Sequence, residues 1–305
     1  MIIELNTNKI INLMSLLSHK IINLMSLLSH KILKFLRIKR KHIINDFCVY
    51  LDYDHKLPMY TNRFLYYDKF LPHLVKYLKN NSTVVDVGAN IGDTLVSMIT
   101  SNPQLNYICI EGDDEFFNEL QYNTERLKSI YNDAIIINYN VLVGEEIKQG
   151  KLEGTGGTKN LIQTDIESNN THRLDNIVDE SYDVSLIKTD IDGFDWDAIK
   201  SADQLLKQNP LIYFECQYSS IESLNHYNLL INYLLKNSYK YFAFFDNYGN
   251  YILNTSNINI INNLLEYCLY NNNDSIFYYD ILAYSNRHEF VEDSLYTYRR
   301  KIQDK

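Results

Sequence analysis

Acidic side chains are missing from the opening stretch of this 305-residue chain: none lies between Glu4 and Asp46. That stretch carries Lys9, Lys20, Lys31, Lys34, Arg37, Lys39, Arg40 and Lys41, a charge of +8, so the remainder of a chain of net charge −9 carries −17. An acidic body excludes nucleic acid as the expected partner, because neutralising phosphates needs a basic footprint. Cysteine is scarce as well. Cys48, Cys109, Cys216 and Cys268 lie far apart, form no Cys-x-x-Cys pair and have no histidine at metal-ligand spacing. Reduced thiols of a cytoplasmic protein are expected, with no metal site. The chain also lacks an uncharged apolar run of the ~18–20 residues a membrane span needs, since Lys20 and Lys31 interrupt the candidate. A secretory signal is excluded by charge at the wrong end and by the want of a small-residue cleavage site.

Within the acid-free stretch, residues 10–20 read IINLMSLLSHK and residues 21–31 repeat them without a change. At about 100° per residue, eleven residues make three helical turns plus roughly 20°, so the repeat stays in phase on a helix. Asn12, Ser15, His19, Asn23, Ser26, His30, Lys34, Arg37 and Lys41 then form one polar stripe on an otherwise apolar surface. A helical extension over residues 1–45 is expected. Two readings stand for it: peripheral membrane contact through residues 9–42, with the basic end on anionic headgroups, or packing against the body or an oligomer.

Residues 46–80 read as a connector with some strand character, then a helix over Arg63–Lys79 with an irregularity before Pro72. From Thr83 apolar runs at Thr83–Val87, Tyr107–Ile110, Ala134–Ile137, Val184–Lys188 and Leu211–Phe214 alternate with helix-like segments, and YKYFAFF and YYDILAYS follow as later strands. This pattern predicts an α/β domain over residues 81–286 built on a mostly parallel sheet. GTGGTKN at 154–160 reads as a loop, and residues 287–305 as a polar, mobile tail.

Three motifs carry chemistry. VVDVGANIGDT at 84–94 places Asp86, Gly88, Ala89, Asn90 and Gly92 where a first strand passes into a helix. Glycine there lets backbone approach a ligand, yet the spacing is neither Gly-x-Gly-x-x-Gly nor a P-loop. The next strand ends in Glu111, 25 residues after Asp86, where an acid suits ribose hydroxyls. Third, LIKTDIDGFDWDAIK at 186–200 packs Asp190, Asp192, Asp195 and Asp197 behind an apolar run. Asp190 ends the strand, Asp192 and Gly193 form a turn, and Asp195 and Asp197 fit the first turn of a helix, where negative charge complements the dipole. The spacing fails a calcium loop. Asp190-Ile-Asp192 also fits the bare Asp-x-Asp of a metal-dependent glycosyltransferase, which leaves VVDVGANIGDT and Glu111 without a purpose.

VVDVGANIGDT followed by YICIEGDDEFFNELQYN resembles the cofactor half of S-adenosylmethionine-dependent methyltransferases. LIKTDIDGFDWDAIKSADQLLK and PLIYFEC are similar to the FkbM family within them. The resemblance covers residues 80–217 well and 239–285 loosely, and implies a Rossmann-like methyltransferase fold with an antiparallel closing strand. It implies that Asp86, Gly88, Ala89, Asn90 and Gly92 surround the donor, that Glu111 takes the ribose hydroxyls, and that Asn138 or Asn140 lies near the adenine. Asp190, with Asp192 second, would act at the acceptor hydroxyl of a sugar or glycan. The departures are Asp192 and Asp195, where the family carries glutamate; each carboxylate reaches about 1.5 Å less far. A non-catalytic scaffold of the same fold is the remaining alternative.

Overall fold

The computed structural model describes residues 39–145, 149–155, 158–163, 169–270 and 276–303. The repeat and the first five of the eight basic residues, all within residues 1–38, lie outside them. Where description begins, the expected helical extension is replaced by strand. Lys39–Ile44 (β1) pairs antiparallel with Phe47–Asp52 (β2) through the two-residue turn Asn45-Asp46. Asn45 takes φ +52, which a short polar side chain tolerates. Alternation explains the outcome: Phe47, Val49 and Leu51 are buried in β2 and their neighbours are not. Lys39 bonds Asp52 at 2.8 Å and also reaches Glu119, so this part of the basic arm docks on the acidic body.

The expected helix over 63–79 is broken. Helices span Leu57–Arg63 and Phe70–Leu74, followed by a 3-10 turn at Val75–Tyr77. Pro72 has no N–H to donate to a preceding turn, so the second helix can only begin close before it. The six residues between the two helices include Asp68 at φ +54.

The main sheet starts at its middle. Strands β3 (Thr83–Val87), β4 (Asn106–Ile110) and β5 (Ile136–Tyr139) step outward in parallel, with helices Asp93–Ile99 and Asp114–Lys128 between them. The chain then builds a small sheet from β6 (Leu142–Val143), β7 (Gln149–Thr155), β8 (Thr158–Gln163) and β9 (Asn169–His172). The expected Gly/Thr-rich loop is therefore mostly the β7–β8 hairpin, whose residues 156 and 157 lie outside the described residues. The β-branched Thr158 and Ile162 of TKNLIQ suit a strand as well as a loop. The chain returns on the other side of β3 as β10 (Val184–Thr189), followed by β11 (Leu211–Gln217), both parallel to β3. Then come β12 (Tyr241–Asp246), β13 (Tyr251–Thr255) and β14 (Tyr278–Tyr284). The last inserts antiparallel between β11 and β12, giving the order β13-β12-β14-β11-β10-β3-β4-β5.

Every residue of β3 is buried, as in a sheet covered on both faces. Val85, Ile108, Ile187 and Phe214 face helices Asp195–Lys200, Ile221–Lys236 and Ile258–Tyr270. Val84, Tyr107, Leu186 and Tyr213 face the β1–β2 hairpin and the flanking N- and C-terminal helices. Residues 290–303 are helical and docked, where a mobile tail was expected. Val291, Leu295 and Tyr298 recur at i, i+4 and i+7 and are buried, and His73 Nε2 lies 3.0 Å from the Ser294 carbonyl.

Candidate active site

The strand order reverses between β3 and β10, and a cleft opens there at the C-terminal ends of the strands. Its cavity is about 360 Å³. One wall is the loop after β3. Gly88 takes φ +74, and a Cβ there would sit 2.0 Å from the Asp190 carbonyl oxygen, so only glycine lets the ends of β3 and β10 meet. Asn90, also left-handed at φ +48, donates its backbone N–H to Glu111 Oε2 at 2.8 Å. Its side-chain Oδ1 lies 3.2 Å from His55 Nε2, which anchors the segment after β2 to this loop.

Glu111 ends β4. Its other oxygen, Oε1, accepts the Asp113 N–H at 2.8 Å. Each carboxylate oxygen thus holds one backbone donor and keeps lone pairs for a second. Burial raises the Glu111 carboxyl to about 7, against the opposing pull of the two backbone donors. Gly112 follows because Leu142 closes over it: a Cβ there would meet Leu142 Cδ2 at 2.3 Å. Asp113 caps the helix Asp114–Lys128 through Glu115 and Phe116 N–H groups. Lys159, from β8, bonds Asp113 at 2.7 Å and Glu115 at 3.0 Å and lies 5.0 Å from the Phe116 ring centroid. The small sheet is thereby clamped across this end of the cleft, leaving Ile110, Phe116, Leu142 and Leu152 as an apolar lining.

At the cleft floor lies a buried ion pair. Lys188 Nζ, 4% exposed, is 2.9 Å from Oδ1 of Asp86, which is 0% exposed, and donates to the Gly88 carbonyl at 3.0 Å. Burial alone would lower the Lys188 pKa, but Asp86 and Asp190 outweigh it and raise it. Asp190 stands above this pair, its Oδ2 3.7 Å from Lys188 Nζ, with half its side-chain surface open. The next two residues, Ile191 and Asp192, line the cleft, and Asp192 and Gly193 both take positive φ, forming the turn. Burial, reinforced by Asp190, pushes the Asp192 carboxyl up to about 7.

Asp195 and Asp197 do open the helix Asp195–Lys200, but they are not solvated cap residues. They are 0% and 1% exposed. Asp197 Oδ2 accepts the Glu145 N–H at 3.1 Å, tying the small sheet to the main one. Burial, then Asp190, lifts Asp195 to about 7.

Of the residues expected around a donor, Gly88, Asn90 and Glu111 line the cleft together with Asp190 and Asp192. Four do not. Asp86 lies beneath the floor on Lys188, and Ala89 points into the core. Gly92 starts the helix at φ +86, packed against Leu120. Asn140 is turned outward to Asp114, with its Nδ2 2.6 Å from Oδ1, and Asn138 bonds Thr124. The chain leaves β5 at Tyr139, and the following Val141, Leu142 and Val143 face the cleft instead. Sequence reasoning missed Lys188, Asp68, Glu215 and Asp280, all of which line the cleft. Lys188 alone had a local signal, a cation inside an apolar strand.

The Methyltransferase FkbM domain matches this chain over residues 86–241, more than half of its length. The chain belongs to the FkbM methyltransferase family. Among solved structures it is similar to the methyltransferase FkbM from Methylobacillus flagellatus KT, with 20% identity over 54% of this chain and 40% of that one and a TM-score of 0.39. The chain thus spans well under two thirds of that protein's length. It is similar also to M. capricolum TrmK in complex with S-adenosyl-homocysteine (11% identity, 71% and 67% of the two chains, TM-score 0.39). A third similarity is to M. jannaschii TYW2 in complex with AdoMet (11% identity, 81% and 84%, TM-score 0.39). No curated protein matches the chain.

S-adenosylmethionine is the cofactor that FkbM membership assigns to this cleft, and the residues fit it. Glu111 presents a carboxylate positioned by the Asn90 and Asp113 N–H groups, and Gly88, whose missing Cβ lets β3 and β10 close up, brings loop backbone to the cleft beside it. The apolar lining around Phe116 suits a flat base. In this FkbM chain, the segment 55–68 that roofs the cleft lies outside the matched domain.

Proposed function

We propose that this chain transfers the methyl group of S-adenosylmethionine to a hydroxyl oxygen of a sugar or glycan. The observation that carries the reading is Asp190: a carboxylate half open to the cleft, fixed at the junction between the Gly88–Asn90–Glu111 cradle and an acidic outer chamber. When bound, the donor supplies an activated methyl on a good leaving group. Glu111 would hold the ribose hydroxyls, and the β3 loop would hold the amino-acid end. What remains for the protein is alignment of an acceptor oxygen, which is mainly proximity and orientation.

Asp190 is placed to accept a hydrogen bond from that hydroxyl and to take its proton as the oxygen is alkylated. Lys188 lies 3.7 Å beneath it, and the roof residues Leu57, Tyr60 and Tyr67 limit water. Asp192, at about 7, is the second candidate for the proton. Family membership sets aside the metal-dependent glycosyltransferase, for which Asp190-Ile-Asp192 alone spoke.

The test has two arms. Calorimetry should detect S-adenosylmethionine and S-adenosylhomocysteine; binding of neither leaves a scaffold, and binding of a nucleotide sugar instead restores the glycosyltransferase. Labelled donor should then be offered to free sugars, sugar nucleotides and lipid-linked glycans. Asp190→Asn with full turnover and full donor affinity would remove Asp190 from both roles.

A further inference from the structure

The outer chamber carries more negative charge than methyl transfer to a neutral hydroxyl requires. Asp68, Asp190, Asp192, Glu215 and Asp280 all line it. Of the cations nearby, Lys188 is committed to Asp86 and Lys159 to Asp113 and Glu115, while Lys56 and Lys69, the latter beside Asp68, are exposed to solvent. Glu215 and Asp280 are register partners across the antiparallel pair β11–β14, so their side chains stand on one face directly opposite each other. Like charges in that relation are destabilising. Their i+2 and i−2 neighbours Gln217 and Tyr278 line the chamber too, so the pleat aims both acids into it.

Glu215 points to what is missing. It is 8% exposed, and its Oε1 has no hydrogen-bond partner among the described residues. A buried polar atom left without a partner costs about 1–3 kcal/mol, more when charged. Asp68 closes the chamber from the roof, at a left-handed position held by the β12–β13 turn: Gly249 packs on the Tyr66 carbonyl, and the Phe64 and Tyr248 rings stack at 4.2 Å. Asp68 and Asp280 both lie outside residues 86–241, so two of the five acids reach the chamber from outside the matched domain.

We propose that Glu215, Asp280 and Asp68 form a subsite for an ammonium group, and that the acceptor is an amine-bearing sugar. The proposal rests on the methyltransferase reading and names the substrate class of that site. An ammonium offers three donors and no acceptor, which answers three carboxylates facing one space. Burial, then Asp190, raises both Glu215 and Asp280, and an ammonium between them acts in the opposite direction. Phosphorylated acceptors meet repulsion in the same place.

The experiment uses the full chain saturated with S-adenosylhomocysteine and two probes of one sugar backbone, the glucosamine trimer and its N-acetylated counterpart. Near neutral pH the glucosamine trimer should bind at least roughly tenfold more tightly by calorimetry, with proton release that varies with buffer ionisation. Glu215→Gln and Asp280→Asn should each abolish most of that preference while S-adenosylhomocysteine affinity holds, which also reports folding. Equal or tighter binding of the N-acetylated trimer, binding of neither, or a preference that survives Glu215→Gln overturns the proposal. So does a loss of S-adenosylhomocysteine affinity in Glu215→Gln, which would assign the acids to the donor's own ammonium. Failure of the wild-type chain to bind S-adenosylhomocysteine overturns the methyltransferase reading, and this one with it.

Discussion

Lys188→Met removes one half of the buried pair on which the cleft floor rests. Asp86 is then left with a carboxylate that is 0% exposed and has lost a cation 2.9 Å away. Two unit charges at that separation attract by about 6 kcal/mol at an effective dielectric of 20, most of it spent on desolvating both. Removing one partner therefore costs about 3–5 kcal/mol, a large share of the ~5–15 kcal/mol by which domains are stable. Removing both charges together, in Asp86→Asn/Lys188→Met, leaves no uncompensated ion and should cost about 2 kcal/mol or less. Urea denaturation of the four proteins gives the coupling energy directly. The Lys188→Met deficit should also narrow on acidification, because an unpaired buried Asp86 takes up a proton and ceases to be charged. If Lys188→Met loses less than about 1 kcal/mol, or the double variant loses the sum of the singles, the pair does not organise the floor.

Other consequences are as open to measurement. Glu111→Gln replaces one of two acceptors of backbone N–H groups by a donor, so S-adenosylhomocysteine affinity should fall by about tenfold or more in calorimetry; an unchanged affinity would remove Glu111 from the donor site. Asp192 and Asp195 rise from an ordinary 3.8 to about 7 in the folded chain. Folding therefore takes up protons between those values, and the stability tied to these groups is lost as pH rises through about 7. The melting temperature should drop from about pH 5.5 to about pH 8, and Asp195→Asn should flatten the slope; a level or rising profile in the wild type contradicts the assignment. Leu295→Ala, in the docked C-terminal helix, should cost about 2–5 kcal/mol in urea denaturation, whereas a cost under about 0.5 kcal/mol would mean that the helix carries no core.

Strand runs and the helices between them were legible because each is a local pattern. Thr83–Val87, and the runs that became β4, β10 and β11, announce themselves by composition, and the first loop by its glycines. Helix breaks were less legible. Arg63–Lys79 keeps a helical spacing of apolar residues, yet the chain turns at Asp68, since tertiary packing of Tyr66 on Gly249 outweighs local propensity there. The C-terminal helix was misjudged for the opposite reason. Its polar composition hides Val291, Leu295 and Tyr298, a stripe too narrow to alter an average but wide enough to dock.

The site divides along the same line. Asp190 and Asp192 follow from their place at a strand end, whereas Asp195 and Asp197, three and five residues further on, are buried for structural ends. Crowding in sequence was therefore a poor guide to crowding in space. Asp190 shares its cleft with Asp68, Glu215 and Asp280, brought in by three separate elements. The pairing of Glu215 with Asp280 depends on the register of an antiparallel strand that enters the sheet more than sixty residues later, which no local periodicity encodes. What the sequence does contain is the compensation: one lysine in the middle of an apolar strand, LIKTD. A cation so placed must be paired, and the only acid on the neighbouring strand β3 is Asp86. That single inference would have moved Asp86 from the donor to the floor, and left the remaining carboxylates of the cleft in need of a positive ligand.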